Sequence, residues 1–383
     1  MIKIAFFSVV LNHHQANLAD VLYEQTGHQF VFVELEEPIG NNIKGGCKNY
    51  SDRPYLLQSW KDSNSKQQAI NVALTAEVAL FGGGLDYMRL RLNKNLFSFE
   101  VGERWLKRGW INVFSPRLLK NMWYYHTRGW HNKPLYKLCS SAYSAGDQYR
   151  LHTLKDRCYK WGYFTKVDSN FEIEAIQQCT STPEFTPLMW CARFLKLKHP
   201  ELPVKLAHRL KQKGYLFNID MFGSGKEFDH TKALIKELDV EDCVKLRGNL
   251  PNDEILKEMR KHSIFLFTSD RNEGWGAVLN EAMSNGCTVV ASDEIGSVPF
   301  LIEDGKNGMV FKACGIDSLV EKVSYLLDNA IERRDMAVKA YQTMRDVWSP
   351  HVAARNLLVL IDDIKNGKNT SIINGPCSKA LPI

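Results

Sequence analysis

Short, almost wholly apolar runs recur along this chain, separated by longer stretches in which apolar residues return at helical spacing. The runs IKIAFFSVV (2–10), QFVFVEL (29–35), EVALFG (77–82), NLFSFEV (95–101), LFNIDMFG (216–223), SIFLFTS (263–269) and CTVVASD (287–293) predict strands. Segments such as 226–239 and 252–261 predict helices between them. Strands apolar on both faces, alternating with helices, predict parallel sheets covered on each side. At 383 residues the chain is too long for one ordinary core, so two domains are expected. DSNFEIEAIQQCTSTPEFTPL (168–188), with two prolines and a Thr-Ser-Thr centre, reads as their connection. The expected class is α/β: two doubly wound, Rossmann-like domains facing across a cleft, with ligands outside the carboxyl ends of the strands. The expected limits are 1–170 for the first domain, 171–187 for the linker and 188–347 for the second domain. A polar, glycine-containing tail at 365–383 is expected to be disordered.

Composition narrows the class. Hydrophobic content of 44% and charged content of 24% are those of a soluble globular protein. The apolar opening is too short for a membrane span and lacks a cleavage pattern, so it reads as a buried first strand. Nine cysteines, an odd number without a C-x-x-C pair, argue for reduced thiols in a cytoplasm and against a disulfide framework or zinc site. The net charge of +6 matters chiefly through its placement.

The stretch SDRNEGWGAVLNEAMSNG (269–286) carries chemistry. A strand ends at Ser269, and Gly274 and Gly276 let the following loop turn tightly and approach a ligand. A helix is predicted from about Gly276 to Asn285-Gly286, its electropositive start suited to a phosphate. Glu281 would lie about 7.5 Å further along the axis at ~1.5 Å per residue, where a carboxylate can bind the diol of a ribose. Glu273, ahead of the helix, can hold a second diol across the phosphates. Two diol readers flanking an anion site describe a nucleotide-diphosphate-sugar, although a pair of solvated glutamates would share the spacing. Arg193 and Lys198 follow the first strand of the second domain and can neutralise a diphosphate leaving group. Gly223-Ser224-Gly225 ends the next strand and offers a close backbone approach to phosphate or base. Phe228 stands where a dinucleotide fingerprint has its third glycine, so a nicotinamide enzyme is a poor fit. No P-loop occurs.

From 188 to about 311 the chain resembles the donor domain of glycosyltransferase family 4, retaining enzymes of the GT-B fold. ARFLKLK (192–198) is similar to the family's GRLxxxK segment, and NEGWGAVLNEAMSNGCTVVAS (272–292) to its EGFGxxxxEAxAxGxPVxAS signature. The resemblance implies diphosphate contacts for Arg193 and Lys198, sugar contacts for Glu273, a sugar-and-phosphate lining from Gly274, Trp275 and Gly276, and ribose binding by Glu281. It also implies that the apolar helix at 348–364 returns to the first domain. Ala192, Trp275, His199 and Phe300 depart from the family pattern, replacing glycine, phenylalanine, glycine and glutamate. The implied activity is retaining transfer of a sugar from a nucleotide-diphosphate-sugar, a UDP-sugar, to a glycan or lipid-linked saccharide. The alternatives are a nucleotide-sugar epimerase on the same fold and a non-catalytic binding subunit. No D-x-D motif occurs, so no metal and no cofactor are expected, and protein cations must serve the diphosphate.

The first domain is less explicit. Asn12-His13-His14-Gln15 follows strand one where the family has a glycine loop, placing His13 and His14 for acceptor or phosphate contact or for a capping role. Gly83, within Gly82-Gly83-Gly84, offers close backbone approach. Glu103 is the candidate catalytic or acceptor-orienting acid, with a structural Glu–Arg pair as its other reading. Arg104 to Lys137 holds eight lysines and arginines, four tryptophans, three tyrosines and no acid. Leu118, Leu119, Met122 and Trp123 form one helical face beside Arg117 and Lys120. Such a stretch suits an anionic membrane surface, or else a core with a solvated rim. Nucleic acid is not expected, since no binding module accompanies it. The expected location is cytoplasmic, peripheral on the inner face of the cell membrane.

Overall fold

A computed structural model describes residues 2–38, 50–168, 171 and 185–383. The chain divides into two compact units. One holds the chain up to Lys166 together with Val347–Ile383, and the other holds Val167–Asp346. The expected connection at 171–187 lies almost wholly outside the described residues, and Thr186 already belongs to a strand.

The first unit contains β1 (Ile4–Ser8), β2 (Phe30–Glu34), β3 (Leu56–Gln58), β4 (Val78–Phe81), β5 (Ser98–Gly102), β6 (Leu135–Cys139) and β7 (Cys158–Lys160). They form one parallel sheet in the order β3-β2-β1-β4-β5-β6-β7. The second contains β8 (Thr186–Cys191), β9 (Phe217–Phe222), β10 (Val244–Gly248), β11 (Ile264–Phe267), β12 (Thr288–Ser292) and β13 (Met309–Phe311). These too are parallel, in the order β10-β9-β8-β11-β12-β13. Each is a doubly wound, Rossmann-like sheet, and strand order reverses beside β1 and beside β8, where such sheets open a crevice for ligands.

The seven predicted runs are β1, β2, β4, β5, β9, β11 and β12. They stand out because both faces of a central parallel strand are covered: every residue of β1, β4, β11 and β12 is buried. β6, LYKLC, does not read as a strand because Lys137 interrupts it. That lysine is fully buried, donates to Glu100 Oε1 at 3.1 Å and lies over the Trp105 ring. In the second unit Leu188, Trp190, Ile219, Met221, Leu266 and Val290 join Leu319 and Val323 in one core. No disulfide joins the seven cysteines found among the described residues.

The helix Pro350–Lys365 begins with a Ser349 cap and packs along the helix His13–Gln25 of the first unit, burying Leu357, Leu360 and Ile361. The tail beyond it contradicts the expected disorder. Cys377 N donates to Lys160 O at 2.7 Å, Lys160 N to Ser378 O at 2.8 Å and Ala380 N to Cys158 O at 3.0 Å. Asn356 Nδ2 holds Pro376 O at 3.0 Å, and Cys377 and Ala380 are buried. Composition hides this because the attraction is backbone pairing: the tail covers the outer edge of β7, whose ladder groups would otherwise be open. Deleting 376–383 should therefore lower stability by about 3 kcal/mol, from the lost backbone bonds and apolar burial. A urea midpoint unchanged by the deletion would show that the docked tail contributes nothing.

Candidate functional site

In the second unit the chemistry gathers on loops leaving β8, β9 and β11, beside the reversal of strand order. The loop after β8 carries exposed Arg193 and closes in a single tight turn, Lys196–Lys198. The loop after β9 is pressed against it. A Cβ on Gly223 would stand 2.0 Å from Ala192 O, and one on Gly225 2.4 Å from Phe194 O. Phe194 N donates to Ser224 O at 2.9 Å across the same contact. Gly223 and Gly225 thus act on their neighbour loop, setting the backbone on which Arg193 stands.

The loop after β11 is bound to the same turn. Asp270 N donates to Leu197 O at 3.0 Å, and Thr268 Oγ1 to Lys198 O at 2.7 Å. Asp270 Oδ1 accepts from Asn272 N at 2.8 Å, folding a turn in which Glu273 N reaches Asp270 O at 3.0 Å. Lys198 Nζ and Glu273 Oε2 consequently meet in a short ion pair, with both side chains largely shielded from solvent. Gly274 is buried behind them. At Gly276, φ is +82° and a Cβ would fall 2.3 Å from Phe267 Cζ, so only glycine fits.

Two expectations change here. The helix starts at Val278, not Gly276, and runs to Ser284. Trp275, expected to line the ligand, has a fully buried side chain: its Nε1 donates to Asn280 Oδ1 at 2.8 Å and its ring lies 6.3 Å from that of Phe300. Its indole belongs to the core, which leaves only its backbone for a ligand. Phe300, the departure from the glutamate of the resembled family, supplies an apolar neighbour for that indole.

Glu281 is buried on the helix, and Asn252 Nδ2 donates to its Oε1 at 3.0 Å. Burial pushes its carboxyl up to about 7. Asn252 opens the helix Asn252–Met259 and is not legible as a partner, since the pair spans 29 positions that only the fold closes. His199, Glu201 and Asp270 escape the sequence pattern in the same way. The one available signal is the departure from the family pattern at His199.

The first unit has its own cavity of about 590 Å³ at the carboxyl ends of β1, β4 and β5, lined by Asn12, Gln15, Glu100, Glu103, Arg104 and Lys107 among others. Glu103 is held there by Lys107 and by Tyr163 Oη at 3.2 Å. Arg104 pairs instead with buried Asp147 at 3.5 Å, so the anticipated Glu103–Arg104 pair is replaced by Glu103–Lys107. His13 and His14 do not line this cavity. Asn12 caps their helix, its Oδ1 accepting from His14 N and Gln15 N at 3.1 Å. His14 stacks on Tyr163, and burial with the neighbouring His13 lowers its pKa to about 3. Gly83 packs near Leu35, and Gly82 is the glycine that reaches the cavity.

The basic, aromatic stretch divides between core and surface. Leu118 and Met122 pack with Leu106 and Leu151, and Tyr124, Tyr125 and Trp130 are buried. The short turn of helix Gly109–Phe114 and the helix Pro116–Thr127 leave Trp110, Ile111 and Phe114 62%, 75% and 79% exposed, with Leu119 and Trp123 also exposed. The single face expected from Leu118, Leu119, Met122 and Trp123 is therefore split between two sides of the helix.

Comparison with known proteins gives a family match and a fold match. The family model "Glycosyl transferases group 1" matches residues 182–343, which include every residue of the site in the second unit. The amylovoran biosynthesis glycosyltransferase AmsK of Erwinia amylovora is 28% identical over 176 residues, 45% of this chain and 43% of that protein. The poly(glycerol-phosphate) alpha-glucosyltransferase of Bacillus subtilis is 31% identical over 133 residues, 35% of this chain and 19% of that protein. The matches thus span less than half the length of these relatives. In structure, the chain is similar to HepE of Anabaena in complex with UDP, with a TM-score of 0.68 at 13% identity, covering 94% of this chain and 100% of that one. With a parallel, doubly wound sheet in each unit, the chain has the GT-B fold, and its residues 182–343 match the group 1 glycosyl transferases.

Proposed function

We propose that this protein is a retaining glycosyltransferase that moves a sugar from a nucleotide-diphosphate-sugar, a UDP-sugar, to a glycan or lipid-linked saccharide. The observation that carries the proposal is the Lys198–Glu273 pair, held by two interlocked loops with buried Glu281 on the helix that follows. A donor would separate the pair. Its diphosphate takes Lys198 and Arg193, its sugar hydroxyls take Glu273, and its ribose diol takes Glu281. As the anomeric C–O bond breaks through an oxocarbenium-like transition state, negative charge grows on the diphosphate, and fixed cations stabilise it more than they stabilise the ground state. Glu103, in the cavity of the first unit, is the group proposed to orient the acceptor hydroxyl. The UDP-bound structural neighbour supports the choice of nucleotide. Retention is proposed from the resemblance of 192–198 and 272–292 to the motifs of glycosyltransferase family 4.

Arg193→Ala should leave the melting temperature near that of the wild type, whereas Lys198→Ala should lower it because shielded Glu273 loses its partner. Each should lower turnover on the order of 100-fold, about 3 kcal/mol of transition-state stabilisation. Wild-type turnover in both variants would overturn the donor assignment. Without a D-x-D motif, the proposed mechanism uses protein cations alone. Activity should then survive EDTA, and loss upon chelation that manganese or magnesium reverses would refute metal independence.

The exposed Trp110, Ile111, Phe114, Leu119 and Trp123, with exposed Arg108, Arg117 and Lys120 among them, support docking on an anionic lipid surface. No helix among the described residues is long and apolar enough to cross a membrane. Apolar side chains would enter the headgroup layer while each nearby cation adds about 1 kcal/mol. That placement is the peripheral, inner-face location proposed here, and it would give access to a lipid-linked acceptor. Sedimentation with phosphatidylglycerol-containing vesicles should be salt-sensitive and weakened by combining Trp110→Ser, Phe114→Ser, Arg108→Ser and Lys120→Ser. Equal binding to neutral and anionic vesicles, or none to either at low salt, would remove the docking surface.

A further inference from the structure

His199 occupies a backbone position that resists it. Its φ is +49°, in the left-handed region, where the resembled family carries glycine. Its side chain supplies a reason for the exception. Nδ1 lies 2.8 Å from Glu201 Oε1, at the start of the helix Glu201–Gln212, and Nε2 lies 3.5 Å from Asp270 Oδ2. Ionised carboxylates only accept hydrogen bonds, so an imidazole that faces one through each nitrogen satisfies both only when doubly protonated. The Cys314 thiol lies 3.7 Å from Nε2, and Lys198 precedes on the same loop.

The two carboxylates are not equivalent. Glu201 anchors the ring to the helix that follows it. Asp270 uses its other oxygen to fold the turn that carries Glu273, and its backbone N–H meets the turn that carries Lys198. We propose that His199 is a positioning residue: as an imidazolium it ties the Lys198 loop to the Glu273 turn and so sets the diphosphate site. The proposal rests on the donor reading of that site.

The sign of its pH dependence follows from the neighbours. The hydrogen bond to Glu201, helped by Asp270, raises the His199 pKa above its ordinary value despite partial burial. A raised histidine contributes fully below its unfolded pKa, about 6.5, and the contribution is lost as pH rises through the higher folded value. Glu201 makes the shorter contact and retains the Nδ1 proton. Nε2 therefore deprotonates, and the tie to Asp270 is the one that fails. Cys314 does not reverse this sign, because burial and the surrounding carboxylates push its thiol up.

The test is calorimetric titration of UDP, and separately of inorganic pyrophosphate, at about pH 6, below the ordinary histidine value, and in steps up to a higher pH. His199→Gly and His199→Asn both suit a left-handed backbone, so the fold is kept while the charge is removed. Ligand ionisation acts equally in all three proteins and cancels in their ratio. Wild type should bind both ligands about tenfold more tightly than either variant at the lower pH, and equally at the higher. A ratio that does not change with pH overturns the proposal alone. Failure of wild type to bind either ligand at any pH overturns the donor reading together with it.

Discussion

Between the chain leaving β8 and the chain leaving β9 there is no room for a side chain, since a Cβ on Gly223 would stand 2.0 Å from Ala192 O. That contact decides where everything else in the second unit's site can stand. It fixes the backbone under Arg193, and the tight turn that follows gives its carbonyls at Leu197 and Lys198 to the loop after β11. Three loops become one packed layer at the sheet's carboxyl edge. Lys198 and Glu273 meet because of that layer, although 75 positions separate them. Gly276 sustains it from the other side, where the Phe267 ring fills the space a Cβ would need.

In both units several shielded charges have a fixed opposite partner. Lys137 in β6 has Glu100, Lys198 has Glu273, and Asp220 in β9 has both Arg247 at 2.8 Å and His262 at 3.1 Å. Pairs of this kind contribute little net stability, because desolvation offsets most of their attraction. Their effect is geometric, since a shielded ion has few places to go. At the donor-side site that geometry is also chemistry. A cation and a carboxylate that satisfy one another ahead of ligand binding stand ready for a molecule bearing both phosphate and hydroxyls. The first unit has a comparable arrangement in Glu103, Lys107 and Tyr163, at the edge of a cavity of its own.

Much of the α/β class is legible because a parallel strand covered on both faces must be apolar at nearly every position, and a run such as IAFFS suits little besides a buried strand. The same physics accounts for the failures. β6 contains a lysine that becomes tolerable only once Glu100, 37 positions earlier, is brought beside it. β3, β7 and β13 are three residues each, too short to show a period. The polarity of the tail misleads because main-chain pairing with β7, not side-chain character, holds it in place.

At the site, the sequence by itself determined the inventory: two cations after one strand, two carboxylates around a Gly-Trp-Gly turn, and glycines where chains must pass closely. Motif spacing carries that much because a loop between a strand and a helix is local. Tertiary structure alone decided which members touch. It turned the Trp275 indole into the core, joined Asn252 to Glu281, and set His199 between Glu201 and Asp270. Those contacts depend on the order in which strands lie side by side. The apolar pattern that makes each strand is nearly the same for every strand, so the order cannot be read from it.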